Sequence, residues 1–169
     1  MKINIPELNK KSEVTFKGEQ RVFLKGINPV HDVLDCMAFV EGVATKSGNR
    51  YLVKGQVITT VMLLCDRCLE EYEYTLKADL YKEYSSEEFF DDEDEDIIQV
   101  TGSVIDLEDA VTEAIYLNVP MKGLHDKNCK GICKICGQNL NEQSCDCESK
   151  EIDPRLENLK NIFHPQSEE

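Results

Sequence analysis

Several features that would assign an activity at once are missing from this chain of 169 residues. It has no glycine-rich phosphate loop, no nucleophile set beside a base and no carboxylate pair in a recognisable catalytic arrangement, so it reads as a binding protein rather than an enzyme. No apolar run reaches the length needed to cross a bilayer, and the opening residues MKINIPELNK contain no apolar core of the secretory kind. We therefore expect a cytoplasmic protein with no membrane partner and no small-molecule substrate. Basic residues are scarce: 19 Lys and Arg stand against 33 Asp and Glu, a formal net charge of −14. The imbalance is uneven, at +3 over residues 1–64, −15 over 65–120 and −2 over 121–169. A global electrostatic grip on nucleic acid is disfavoured by that balance.

Cysteine is abundant by contrast, with eight in the chain. The stretch HDKNCKGICKICGQNLNEQSCDC holds His125, Cys129, Cys133, Cys136, Cys145 and Cys147, and LLCDRCLE adds Cys65 and Cys68. Seven cysteines and one histidine make two sets of four, the number that structural zinc takes. Two structural zinc ions are the expected cofactors. Cys133-Lys134-Ile135-Cys136-Gly137 has the C-x-x-C-G form of a zinc knuckle, in which backbone amides donate to sulfur and glycine tolerates positive φ. Cys145 and Cys147 would complete that site locally. The second site would join Cys65 and Cys68 to His125 and Cys129, pinning distant parts of the chain together.

Other chemistries use cysteines as well. Disulfides suit an oxidising compartment, not the one expected here. An iron–sulfur cluster also takes C-x-x-C ligands, although the mixed histidine and the C-x-C spacing fit zinc better. A redox-active C-x-x-C needs a strand-to-helix context, whereas Cys65 and Cys68 fall between two strand patterns. Catalytic zinc keeps one position open, while the counting here closes both sites with protein groups. Cys36 has no partner at ligand spacing and reads as a small buried hydrophobe in a strand.

The remaining patterns indicate an α+β fold built on an antiparallel β-meander. Residues 1–25 carry weak edge-strand signals in INI and VTFKG, with Pro6 at an edge or in a loop. VLDCMAFVEGVAT over 33–45 is apolar and β-branched, and Ser47-Gly48-Asn49 supplies a hairpin turn into YLVKGQVITTVMLL, with Val53, Val57, Val61 and Leu63 on one parity. After the Cys65–Cys68 turn, Tyr72, Tyr74, Leu76, Ala78 and Leu80 alternate with Glu71, Glu73, Thr75, Lys77 and Asp79, a half-buried strand whose tyrosines pack the core. SSEEFFDDEDED over 85–96 has eight carboxylates and no basic residue, which implies a solvated acidic loop, or one that contacts a basic partner. It lacks the spacing and glycine of a calcium loop. A helix is expected over about 106–118, opened by Asp106 and Asp109 in a capping-box-like start and buried through Leu107, Val111, Ala114 and Ile115. Pro120 bounds it. Asp153-Pro154 signals a short C-terminal helix with Leu156, Leu159 and Phe163 on one face. The expected organisation is a β-rich domain over 1–124, a cysteine-rich zinc-knuckle module over 125–150 and a helix with tail over 151–169. Lys122, Lys127, Lys130 and Lys134 form the one local basic patch able to meet nucleic acid, and read first as solubilising surface residues.

CDRCLE after an apolar strand, the acidic insert, QVTGSVIDLEDAVTEAIYLNVP, CKGICKICGQNLNEQSCDC and DPRLENL together resemble the YceD family over roughly residues 30–163. The resemblance implies a factor needed for accumulation of 23S ribosomal RNA and for large-subunit biogenesis, working through a ribosomal protein, an assembly factor or the large-subunit RNA itself. Similar members with the full cysteine set commonly carry cysteine where this chain has His125, and others lack the C-terminal cluster, which implies separable sites. A metal-dependent RNA-processing enzyme is the alternative.

Overall fold

The structure, a computed structural model, describes residues 1–86 and 97–147. Strand β1 spans Lys2–Asn4, helix α1 Ile5–Lys11, and the long strands β2, β3, β4 and β5 span Glu13–Lys25, Val33–Ser47, Arg50–Leu64 and Glu71–Ser85. Short strands β6 (Ile97–Gln99) and β7 (Val104–Asp106) precede helix α2, Glu108–Asn118. The main sheet has the order β2-β3-β4-β5-β6. Its first four strands form the expected antiparallel meander, and β6 joins β5 in parallel at the far edge. A separate ribbon pairs β1 with β7.

Alternation decides which face is covered. Val22 and Leu24 of β2, Ala38, Val40 and Ala44 of β3, Val53, Val57 and Val61 of β4, and Leu76, Ala78 and Leu80 of β5 all point to one side and are buried. Ile5 and Leu8 of α1, Ile3, Ile105, and Leu107, Val111, Ala114 and Ile115 around α2 close over them in one core. The α2 face expected from the spacing is thus the face that packs. Phe23, Met37 and Tyr81, of opposite parity, are more than half exposed on the other side. Tyr84 is buried, while Tyr72 and Tyr74 are half-buried against the core.

Three local expectations change. Pro6 lies in the first turn of α1, where its missing N–H costs nothing, and Asn4 caps that helix by accepting from the Glu7 N–H at 3.4 Å. Burial of Ile5 and Leu8, not propensity, stabilises so short a helix. VTFKG does lie in an edge strand, β2. At α2 the residue before the first turn is Leu107, which makes no side-chain cap; Asp106 sits in β7 and accepts from the Glu108 N–H at 3.1 Å instead. The helix therefore starts two residues later than expected. Ser85 ends β5 and is buried, so the acidic loop does not begin there; residues 87–96 of that loop and the C-terminal helix near Pro154 lie outside the described residues. No helix among the described residues is long and apolar enough to cross a membrane.

One constraint in the sheet is steric. Gly42 and Gly55 are cross-strand partners, and a Cβ on Gly42 would lie 2.2 Å from the Lys54 carbonyl oxygen and 2.7 Å from Phe16 Cζ. Gly42→Ala should destabilise the protein by roughly 1–3 kcal/mol, read as a lower urea midpoint with an unchanged slope. A midpoint within error of the parent would mean that the strands can part there at no cost.

Candidate metal centres

Two turns in this chain have the same backbone design. Between β4 and β5, the Cys65 N–H donates to the Glu70 carbonyl and the Leu69 N–H to the Cys65 carbonyl, both at 2.8 Å. At the other turn, the Cys133 N–H donates to the Gln138 carbonyl at 2.8 Å and the Gly137 N–H to the Cys133 carbonyl at 2.9 Å. The residue after the second cysteine is left-handed in both, Leu69 at φ 62° and Gly137 at φ 75°. Glycine takes that conformation freely, whereas leucine is strained in it by about 1–2 kcal/mol. Both turns aim their two thiols to the same side and offer amides to sulfur; the Ile135 N–H lies 3.4 Å from Cys133 Sγ.

The first turn is met by the chain that leaves α2. The Asp66 N–H donates to the Gly123 carbonyl and the Gly123 N–H donates to Asp66 Oδ2, each at 2.9 Å. That clamp sets the following residues across the turn, and the Arg67 guanidinium holds them by donating to the carbonyls of Cys129 at 2.8 Å and Lys127 at 3.3 Å. Cys65, Cys68 and Cys129 are buried as a small cluster apart from the main core, and His125 closes its exposed side.

The structure brings the eight sequence-predicted residues into two groups, Cys65, Cys68, His125 and Cys129, and Cys133, Cys136, Cys145 and Cys147. Within each group the ligand atoms lie within 4.8 Å of one another. Cys65 Sγ stands 3.8 Å from Cys129 Sγ, and Cys68 Sγ stands 3.3 Å from His125 Nδ1. A tetrahedron with metal–sulfur bonds of about 2.3 Å and metal–nitrogen bonds of about 2.0 Å has edges of about 3.8 and 3.5 Å, so these donors fit one ion such as zinc. The cysteines are free thiols, and a sulfur separation of 3.8 Å is far from a disulfide bond of about 2.05 Å.

In each group one thiol is brought down and at least one other is raised. Burial pushes the Cys65 thiol up, but backbone amides of His125, Cys68 and Arg67 outweigh it and bring it down to about 6. Burial drives Cys68 up to about 12, with the sulfurs of Cys65 and Cys129 adding to the rise. In the second group the amides of Cys136 and Ile135 hold Cys133 down at about 6. Cys147 is pushed up to about 12, first by its contact with the Cys136 sulfur, and Cys145 is raised by the Cys133 sulfur despite an opposing bond from the Cys147 amide. A cation relieves this crowding of sulfur by taking the place of the protons.

Cys36 belongs to neither group; it is half-buried rather than fully buried, and burial raises its thiol. Lys122, Lys127, Lys130 and Lys134 are all exposed around the two groups. Sequence reasoning missed the polar residues that hold the sites together. Asp66 and Arg67 lie inside the first C-x-x-C, where their proximity was a signal, whereas Asn139 and Asn141 in the run QNLN carried none.

The family described as "Large ribosomal RNA subunit accumulation protein YceD" matches residues 53–163, which include both groups. The chain belongs to the YceD family. Over 58 residues it is 34% identical to the chloroplastic Large ribosomal RNA subunit accumulation protein YCED homolog 1 of Arabidopsis thaliana, covering 34% of this chain and 18% of that one. The maize counterpart is 35% identical over 60 residues, covering 35% and 20%. An uncharacterized protein of Mycobacterium tuberculosis is 27% identical over 120 residues, covering 69% of this chain and 58% of its own length. The alignments thus span less than two thirds of each relative's length. No solved structure matches.

Metal uptake by this YceD-family chain should be acid-sensitive in a defined way. At pH 7 the raised thiols Cys145 and Cys147 carry protons that an ion must displace, so binding at the second group releases at least two protons per ion. Affinity therefore falls as pH falls, and the slope gains about one further proton below about 6, where Cys133 is protonated too. Zinc titrations at several pH values in two buffers of different ionisation enthalpy measure this count. An affinity flat between pH 8 and 5 is incompatible with thiolate ligation.

Proposed function

We propose that this protein is a non-enzymatic factor with two structural zinc ions that supports accumulation of large-subunit ribosomal RNA by binding a ribosomal component. Residues 1–124 serve as the scaffold, residues 125–150 form the metal module, and the eight grouped residues are the ligands. The observation that supports this reading is that each group brings together four protein donors: tetrahedral zinc held by all four would have no position left for a substrate or an activated water. Family membership supports the ribosomal setting. The partner is a ribosomal protein, an assembly factor or folded large-subunit RNA. If the exposed lysines Lys122, Lys127, Lys130 and Lys134 touch phosphates, RNA affinity falls steeply with salt.

Capture of the tagged full chain from growing cells, with and without nuclease, tests the assignment. Large-subunit ribosomal RNA should be enriched over small-subunit RNA. Partner proteins retained after nuclease place the contact on protein, and partners lost with the RNA place it on RNA. Enrichment of neither large-subunit RNA nor large-subunit proteins would sink the assignment.

His125 separates this reading from a metal-dependent RNA-processing enzyme, because it is the exposed, non-thiolate member of its group. As a structural ligand it should be replaceable: His125→Cys keeps two ions by native mass spectrometry, whereas His125→Ala loses one and loosens residues 123–129 in hydrogen exchange. An Ala variant that holds both ions and its fold but loses an RNA-cleaving activity of the parent would favour the enzyme.

A further inference from the structure

The two groups share a wall. The chain that enters the second group, residues 130–133, pairs with the chain returning through 138–141: the Ile132–Asn139 bridge, the Leu140 N–H to the Gly131 carbonyl at 2.9 Å and the Cys133 N–H to the Gln138 carbonyl at 2.8 Å. This small ribbon lies against the first turn, with the Ile132 N–H donating to the Arg67 carbonyl at 3.0 Å. One side chain of the returning segment then reaches into the first group, and a second braces it. Asn141 accepts the Lys130 N–H on Oδ1 at 2.8 Å, which turns its amide nitrogen to Cys129 Sγ at 3.3 Å. Asn139 accepts from the Asn141 N–H at 3.0 Å and donates to Glu70 Oε1 at 2.8 Å, beside Cys68.

Asn139 and Asn141 lie between Cys136 and Cys145, in the segment that an ion at the four-cysteine group would close into a loop. Closing that loop removes most of the freedom of the two asparagines before the first group fills. Hydrogen bonds to ligating sulfur orient the ligand and spread its charge, and losing one commonly lowers metal affinity by about 10–100-fold. Resting on the two-zinc reading above, we propose that Asn141, braced by Asn139, is a positioning residue through which metal at Cys133, Cys136, Cys145 and Cys147 raises the affinity of Cys65, Cys68, His125 and Cys129. The coupling is reciprocal, since linkage between two binding sites is symmetric.

Cobalt(II) titration of the full chain tests this, because thiolate-to-cobalt absorption reports filling and a three-sulfur, one-nitrogen site differs in its visible bands from a four-sulfur site. The parent should take two ions with positive cooperativity. The double variant Cys145→Ser/Cys147→Ser should bind one ion at the histidine-containing site, about tenfold more weakly than the parent. Asn141→Ala, whose side chain is exposed and whose fold circular dichroism checks, should weaken the same site similarly while leaving the affinity of the four-sulfur site for an ion that enters it first, with the histidine site empty, at the parental value. Adding Asn141→Ala to the double variant should weaken the site little further. Unchanged histidine-site affinity in both variants overturns the coupling and leaves the two-ion reading standing. A parent that binds no cobalt overturns both.

Discussion

The clamp between Asp66 and Gly123 is the contact on which the C-terminal half of the described structure depends. Two hydrogen bonds, one between backbones and one from the Gly123 N–H to the Asp66 carboxylate, join the turn after β4 to a segment 57 residues further on. Without them the chain leaving α2 would lose its first anchor at the hairpin tip, and His125 and Cys129 would be less firmly placed beside Cys65 and Cys68. Arg67 extends the clamp by holding the carbonyls of Lys127 and Cys129. A turn that offers amides to sulfur on one side and a carboxylate to a passing backbone on the other is thus both half of a candidate metal site and a docking point for the segment that follows α2.

The sheet supplies the rigidity that this arrangement needs. Four long strands in register bury a continuous apolar face, and α1 and α2 cover it, so the hairpin tip projects from a scaffold with its own core. The thiol cluster at the tip is small and separate. A cluster of that size contributes little burial energy, so ordering there falls to the hydrogen bonds around it, and a metal ion at the candidate site would add to them. The strained left-handed Leu69 fits the same logic: the position needs positive φ to complete the turn, and the hydrogen bonds between Cys65, Leu69 and Glu70 keep a leucine where the second turn has glycine.

Sequence alone went far where a period or a spacing carries physical meaning. Alternation of Val53, Val57, Val61 and Leu63 marks the core face of β4, and Leu107, Val111, Ala114 and Ile115 mark that of α2, because burial on one side imposes those periods. The C-x-x-C pairs identify themselves, since two thiols at that spacing share one tight turn. INI signalled β1 weakly, whereas helix α1 and strands β6 and β7 were not legible. Each is three to seven residues long and is held by contacts with distant elements, Ile5 and Leu8 in the core and β1 against β7, rather than by propensity.

By itself, then, the sequence determined the meander, the two turns and the supply of eight candidate donor residues, since all of these follow from local chemistry repeated at short range. Only the tertiary structure decided what surrounds those residues: the Asp66–Gly123 clamp, the brace from Arg67, and the reach of Asn141, braced by Asn139, to Cys129. The reason is that a single hydrogen bond between residues far apart in the chain leaves no period and no spacing in the sequence, and exists only once packing has brought its two ends within 3 Å or so.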